Sequence, residues 1–252
     1  MDLDRFINGV IATADAVGAK RRSAKRIKIS VDEWNVWRLS AWNAVEHGFA
    51  PDDWPEAAPR IEDVYTGADA LVVGGLLICL LRHADRVGAA SLAQLVNVIG
   101  PIMTEPAARG GRAWRQTIFH PFAIASRIAR GTAYDAVVAS PSTSTGHYGE
   151  VDQLDAVVTW DADGAGARGC LLALNRSLTE PVEVSAALGG LGASRVVAAQ
   201  ILAPDDLDAV NTADAPDTVV PVAHPVELAG SVLTTTLPPA SWLNLTDRKS
   251  VV

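Results

Sequence analysis

Residues 26–43 read RIKISVDEWNVWRLSAWN, and the fold of the first half of the chain turns on how that run is parsed. Ile27, Ile29 and Val31 alternate with Lys28 and Ser30, the period of a strand, and the alternation stops at Asp32 and Glu33. The run predicts a strand over 26–33 with two adjacent carboxylates at its C-terminal end. Before it, Leu3, Phe6, Ile7, Val10, Ile11, Ala14 and Val17 recur at helical spacing and Gly18 follows, so 2–19 reads as an amphipathic helix. After it, a Pro- and Asp-rich loop over 44–60 leads into IEDVYTGADALVVGGLLICLLR (61–82), which reads as a largely buried helix. ASLAQLVNVI (90–99) has the near-continuous apolar character of a parallel strand, and a helix over 113–130 closes this part. Helix, strand, helix, strand, helix is an order that suits βα units.

The pattern changes after Gly131. AYDAVVAS, LDAVVTWDA, GCLLALN, VEVSAAL, SRVVAAQIL and SVLTTTL are short β-rich runs separated by turn signals such as DADGAG. That is a β-sandwich pattern. It divides the chain into an α/β part over 1–130 and an all-β part over 131–252. No period of roughly 20 to 50 residues recurs, so a repeat array is not supported.

Composition narrows the function classes. The chain has 252 residues, 49% of them apolar, and a formal net charge of −8. A phosphate backbone requires a basic surface, and the Lys/Arg cluster at 20–28 is short and reads as a solvated helix end, so no nucleic-acid partner is expected. Cys79 and Cys170 lie far apart in apolar segments and read as buried thiols, which suits a reducing cytoplasm. The start, MDLDRFINGV, lacks a positively charged leader region, and the longest apolar run, 68–81, falls short of the roughly 20 residues that span a bilayer. No membrane partner is expected. His47, His83, His120, His147 and His224 form no HExxH or CxxC pattern, so neither a metal nor a cofactor is expected. His83 beside Asp85 reads as a helix cap or ion-pair member. The Gly pairs at 74–75, 110–111 and 189–190 lack phosphate-loop spacing, and no Gly-x-Ser-x-Gly elbow occurs.

The opening stretch carries chemistry of its own. A carboxylate at the C-terminal end of a barrel-type strand sits where βα loops build active sites, and it can attack the anomeric carbon of a sugar. Trp34, Trp37, Trp42 and Trp54 bring four of the seven tryptophans close to it, and flat rings suit the apolar faces of sugars. The other reading is a strand-end cap or ion pair beside clustered core tryptophan. Parity along the strand does not choose between Asp32 and Glu33, because both faces of a barrel strand are buried.

The runs ISVDEWNVW, EDVYTGADALVVGGLLICLLRHADRV, SLAQLVNVIGPIMTE, WRQTIFHPF, LNRSLTEP and LPPASW, in that order, closely resemble the C-terminal half of the family-51 glycoside hydrolases, the α-L-arabinofuranosidases. The resemblance extends from about residue 1 to 243. It implies the C-terminal part of a (β/α)8 barrel, about two strands, followed by a jelly-roll-like β-sandwich. It also implies that Glu33 is the catalytic nucleophile with Asp32 only a neighbour, that Trp37 lines the arabinose site, and that Gln94 hydrogen-bonds the sugar. Asn35 and Asn97 read as structural. The implied reaction is retaining hydrolysis of terminal non-reducing α-L-arabinofuranosyl residues from arabinan or arabinoxylan oligosaccharides, with no cofactor.

The sequence departs from the family at one point that matters. The family's acid/base glutamate lies in an Asn-Glu motif on an earlier strand, and this chain contains no Asn-Glu pair. Glu46, Glu56, Glu62 and Glu105 match no acid/base position. The expectation is a chain that carries the nucleophile half and works with a missing N-terminal barrel half, with a homo-oligomer also open. The alternative is a non-catalytic remnant whose sandwich serves assembly or weak sugar binding. The run after Trp242, LNLTDRKSVV, departs from the family's apolar ending and reads as a frayed tail or a sequence-end artefact.

Overall fold

A computed structural model describes residues 2–39, 43, 61–134, 136–162, 168–188 and 195–248. The 44–60 loop, with Trp54, Glu46, Glu56 and His47, lies outside the described residues, as do Trp42 and most of the DADGAG turn.

Helix α1 (Asp2–Lys20) matches the amphipathic segment read from the sequence, yet it buries only Ile7 and leaves Phe6 and Val17 exposed. Strand β1 (Ile29–Trp34) follows, three residues shorter at its start than expected and one longer at its end. Helix α2 (Gly67–Arg82) begins later than the apolar run because Thr66 and Asp69 form a capping box, each side chain accepting from the other's backbone N–H. Residues 61–66 therefore stay outside the helix. The α2 N-terminus also donates to a loop, Gly67 N to Ala209 O (2.9 Å) and Ala68 N to Leu207 O (2.9 Å), which satisfies donors a helix end leaves open.

Strand β2 (Val87–Leu92) pairs in parallel with β1, from Ile29 opposite Val87 to Trp34 opposite Leu92, so β1, α2 and β2 form a βαβ unit. The strand expected over 90–99 is displaced toward the N-terminus. Residues 93–99 instead form a loop in which Asn97 and Ile99 have positive φ, a conformation no strand contains. The helix expected over 113–130 is also shortened: β3 (Ile102–Thr104) and β4 (Ala113–Arg115) form a small hairpin, and α3 spans only Phe119–Ile128. Gln116 and Thr117 explain the delay, since both side chains are buried and committed to backbone groups elsewhere.

The remaining strands are β5 (Thr132–Tyr134), β6 (Ser142–Thr145), β7 (Gly149–Asp152), β8 (Leu154–Asp161), β9 (Arg168–Asn175), β10 (Val182–Ala187), β11 (Arg195–Leu202), β12 (Val222–Ala223), β13 (Glu227–Ala229), β14 (Val232–Leu237) and β15 (Ser241–Arg248). They make a six-stranded sheet in the order β12-β11-β15-β9-β8-β5, a three-stranded sheet β10-β14-β13, and the β6-β7 hairpin. The tail reading is overturned here. Residues 241–248 form an interior strand, β15, paired on both sides, with Leu243 and Leu245 buried.

Alternation along β8, β9 and β15 gives the six-stranded sheet two apolar faces. Leu154, Ala156, Leu171, Ala173, Leu243 and Leu245 face Val182, Val184, Leu233 and Leu237 of the small sheet. On the opposite face Val157, Leu172, Leu174 and Trp242 pack with α2, α3 and Trp34 of β1. This second core draws on residues from both sides of position 131. Gly74 of α2 is required by that contact, because a Cβ there would lie 2.5 Å from Trp242 Cδ1. Asp155, also on this face, is buried and bridges Arg82 of α2 and Arg176 just past β9.

Candidate functional site

The parallel strands β1 and β2 end side by side, and the residues singled out by the sequence collect at that end. Glu33 and Asp32 are both exposed at the close of β1. Asp32 accepts a hydrogen bond from the Ser30 hydroxyl on its own strand. Trp37 follows four residues after Glu33 and is 57% exposed. Gln94 lies two residues past β2, exposed, with its backbone N–H donating to Ile99 O at 3.0 Å.

Asn35 holds these pieces in register. Its Nδ2 donates to Ala93 O and to Ile99 O, both at 2.7 Å, while its Oδ1 accepts from Val36 N at 2.8 Å. Ala93 N adds a bond to Trp34 O (3.1 Å), so the chain just past Glu33 and the loop that carries Gln94 are tied directly together. Asn35 is thus structural, as the sequence reading has it. Asn97 is structural too: its Oδ1 accepts from Thr104 N (2.8 Å) and pins the loop to β3.

Sequence reasoning missed two supports. Gln116, 1% exposed, accepts from Tyr65 N (3.0 Å) and donates to Asp63 O (3.0 Å) and Gly100 O (2.8 Å), fastening the approach to α2 against the loop after β2. Arg38 donates to Val64 O (3.4 Å) and lies 3.9 Å from Asp69, joining the segment after β1 to the start of α2. Neither stood out in the sequence: Gln116 lies between Arg115 and Thr117 in a run that reads as helix, and only its burial shows that it must find partners. Near these supports, burial pushes the Tyr65 phenol and the Asp63 carboxyl up, with Arg38 opposing the shift at Asp63.

Among the other expected or excluded residues, Glu105 is held by Arg112 (2.7 Å), which lowers its pKa. Glu62 is half-buried. His83 is the C-cap of α2 and meets Asp4 (2.8 Å), while Asp85 pairs with Arg26 (2.6 Å). The two cysteines are free and buried.

An exposed carboxylate in the last residues of a parallel strand, carried on a βαβ unit that packs against a large β-sheet, defines an α/β unit joined to a mostly β C-terminal domain. A sequence profile of the alpha-L-arabinofuranosidase C-terminal domain matches residues 32–241. The chain belongs to that family, the family-51 α-L-arabinofuranosidases, and corresponds to the C-terminal part of its members. It is 48% identical over 245 residues to an intracellular exo-alpha-(1->5)-L-arabinofuranosidase of Streptomyces lividans, a match covering 96% of this chain and 35% of that protein. It is 43% identical to an exo-alpha-(1->6)-L-arabinofuranosidase of Bifidobacterium longum, over 96% of this chain and 46% of that protein. The solved structure of a family 51 alpha-L-arabinofuranosidase from Bifidobacterium longum superposes with a TM-score of 0.88 at 42% identity, covering 98% of this chain and 47% of that one. The chain thus spans less than half the length of each of these relatives.

Proposed function

We propose that Glu33 is the nucleophile of a retaining α-L-arabinofuranosidase and that this chain supplies the nucleophile half of its catalytic centre. One observation carries the reading: an exposed carboxylate stands at the end of β1 while Asn35 ties the adjacent backbone to the loop of Gln94. Glu33 attacks the anomeric carbon of a terminal arabinofuranosyl residue, and the bond to the leaving oxygen breaks as a second carboxylic acid protonates that oxygen. The same acid, now a base, takes a proton from water, which displaces Glu33 and restores it. The two carboxyl groups must stand about 5 to 5.5 Å apart. Trp37 offers a flat ring to the sugar and Gln94 an amide for its hydroxyls.

The second acid is assigned to polypeptide outside this chain, a reading supported by the coverage of only 35% and 46% of two relatives' lengths. In that assembly β1, α2 and β2 are the last units of a (β/α)8 barrel, 1–130 belongs to the catalytic domain and 131–252 to a β-sandwich. The names of the relatives support terminal arabinofuranosyl oligosaccharides as substrate and an intracellular site of action. No helix among the described residues is long and apolar enough to cross a membrane.

The test is hydrolysis of an aryl α-L-arabinofuranoside by this chain co-expressed with the N-terminal segment of a close relative. Activity that requires both pieces and is lost in Glu33→Ala supports the proposal, as does a cyclophellitol-type covalent label mapping to Glu33. A label on any other residue overturns it. The separate core between the two sheets favours a second reading, a β domain that folds alone and serves assembly or weak sugar binding. Activity unchanged in Glu33→Ala would reject the nucleophile role but leave that reading standing.

A further inference from the structure

Away from the β1–β2 end, Asp4, Cys79 and His83 come together where the first turn of α1 meets the last turn of α2. Cys79 and His83 are four residues apart and so share one face of α2. Asp4 reaches them from α1, and the three potential ligand atoms all lie within 4.8 Å of one another. From this geometry we propose that Asp4, Cys79 and His83 form a zinc site, with a fourth coordination position open to an adjacent cavity.

The donor set selects the ion. Thiolate, imidazole and carboxylate are the three ligand types that zinc takes in proteins, and magnesium or calcium would not accept the sulfur. Zinc bonds of about 2.0 to 2.3 Å place tetrahedral ligand atoms roughly 3.3 to 3.7 Å apart. The present spread brackets that value. His83 Nε2 and Asp4 Oδ1, at 2.8 Å, must part slightly, and the wider separations must close by about an ångström, within reach of side-chain rotation. The His83 side chain, 14% exposed at the helix cap, stands as the fixed ligand, and the Asp4 side chain, 41% exposed, has freedom to turn toward the ion.

Charge balance points the same way. A thiolate and a carboxylate together neutralise a divalent cation, leaving no net charge in a partly buried place where an uncompensated one is costly. Zinc would displace the thiol proton to solvent as the S–Zn bond forms. The cation nearest in sequence, Arg82, is already engaged by Asp155 (2.5 Å) and does not compete for Asp4.

Asp4 and Cys79 also line a cavity of about 650 Å3 bounded by α1, α2, β7 and the six-stranded sheet. A water molecule reaches the open position from there. The site lies on the far side of α2 from its N-terminal Thr66 cap and shares no residue with Glu33, Trp37 or Gln94. Its effect would be to clip α1, which buries only Ile7, onto the core helix.

The experiment uses the full chain, stripped with a chelator and reloaded with zinc or with cobalt(II) as a spectroscopic substitute. One equivalent of metal should survive gel filtration, and the cobalt form should show a thiolate-to-metal charge-transfer band. Both should be lost in Cys79→Ser and in His83→Ala but kept in Cys170→Ser. Should the variants misfold, the wild-type chain still decides: zinc at about a hundred times its dissociation constant should slow alkylation of Cys79, followed by peptide mapping, about a hundredfold. Substoichiometric metal, a cobalt band that persists in Cys79→Ser, or unchanged alkylation of Cys79 overturns the proposal.

Discussion

Strands β9 and β1 are the two halves of this molecule in miniature. β9 is paired along its length on both sides, with β8 and with β15, and both its faces are buried. Among the described residues β1 pairs with β2 alone, its ladder carries register shifts, and Ser30, Asp32 and Glu33 stand exposed. A strand whose polar groups and side chains are all committed is a scaffold. One that leaves carboxylates exposed at its end can offer them to a ligand, and here the scaffold holds it from behind through Trp34 and α2.

If that division is right, mutations on the two sides should separate activity from stability. The largest effect belongs to Glu33→Ala, which in the assembled enzyme should lower kcat by roughly 10^4-fold or more while leaving stability within about 0.5 kcal/mol in urea unfolding. Next comes Leu243→Ala, which removes a fully buried side chain between the sheets and should cost about 3 to 5 kcal/mol in the same measurement. Val31→Ala, at a half-buried position of β1, should cost about 1 kcal/mol, and equal losses at the two sites would erase the contrast. Asn35→Ala should fall between, at about 1 to 3 kcal/mol, because the Ala93 and Ile99 carbonyls each lose the Asn35 donor, Ile99 O keeping only Gln94 N. Its kcat/KM should also drop, by up to about a hundredfold, as the Gln94 loop loses its tie to Glu33.

The smallest effect concerns pH. Burial, aided by Arg115 and opposed by Asp217, lowers the His120 pKa below 6.5. Folding therefore favours the neutral imidazole, so its contribution is fully present above the unfolded value and is lost as pH falls through the folded one. Stability curves from pH 7 to 5 should be flatter for His120→Phe than for the parent chain. An unaltered slope would remove His120 from the account.

The parts of the fold visible in the sequence are those dictated by local pattern. LDAVVTWD and GCLLALN became β8 and β9 because a short, near-continuous apolar run bounded by turn signals is the mark of a strand buried on both faces. The errors arose where long-range contacts override pattern. The apolar residues of 93–99 read as a strand, yet Ile99 donates to Ile61 O and Asn35 takes the carbonyls of Ala93 and Ile99, bending the segment into a loop. The start of α2 was legible in Thr66-x-x-Asp69, a variant of the capping pattern that the apolar run obscured. Residues 243–248 carry Asn, Thr and Asp among their leucines and read as a tail, because which neighbours would flank them on the sheet is not written locally. At the candidate site, the strand end and its acids were readable. The choice of Glu33 over Asp32 was not, since it came from the family resemblance and not from spacing.

The position of β15 has a consequence for biogenesis. Its neighbours β9 and β11 are both translated before it, and neither can pair with the other while the slot between them is vacant. On the ribosome, then, the large sheet must wait, split into two open-edged pieces, until the polypeptide has emerged past residue 248. A premature stop before residue 241 would remove β15 whole, and with it the strand that joins β11 to β9.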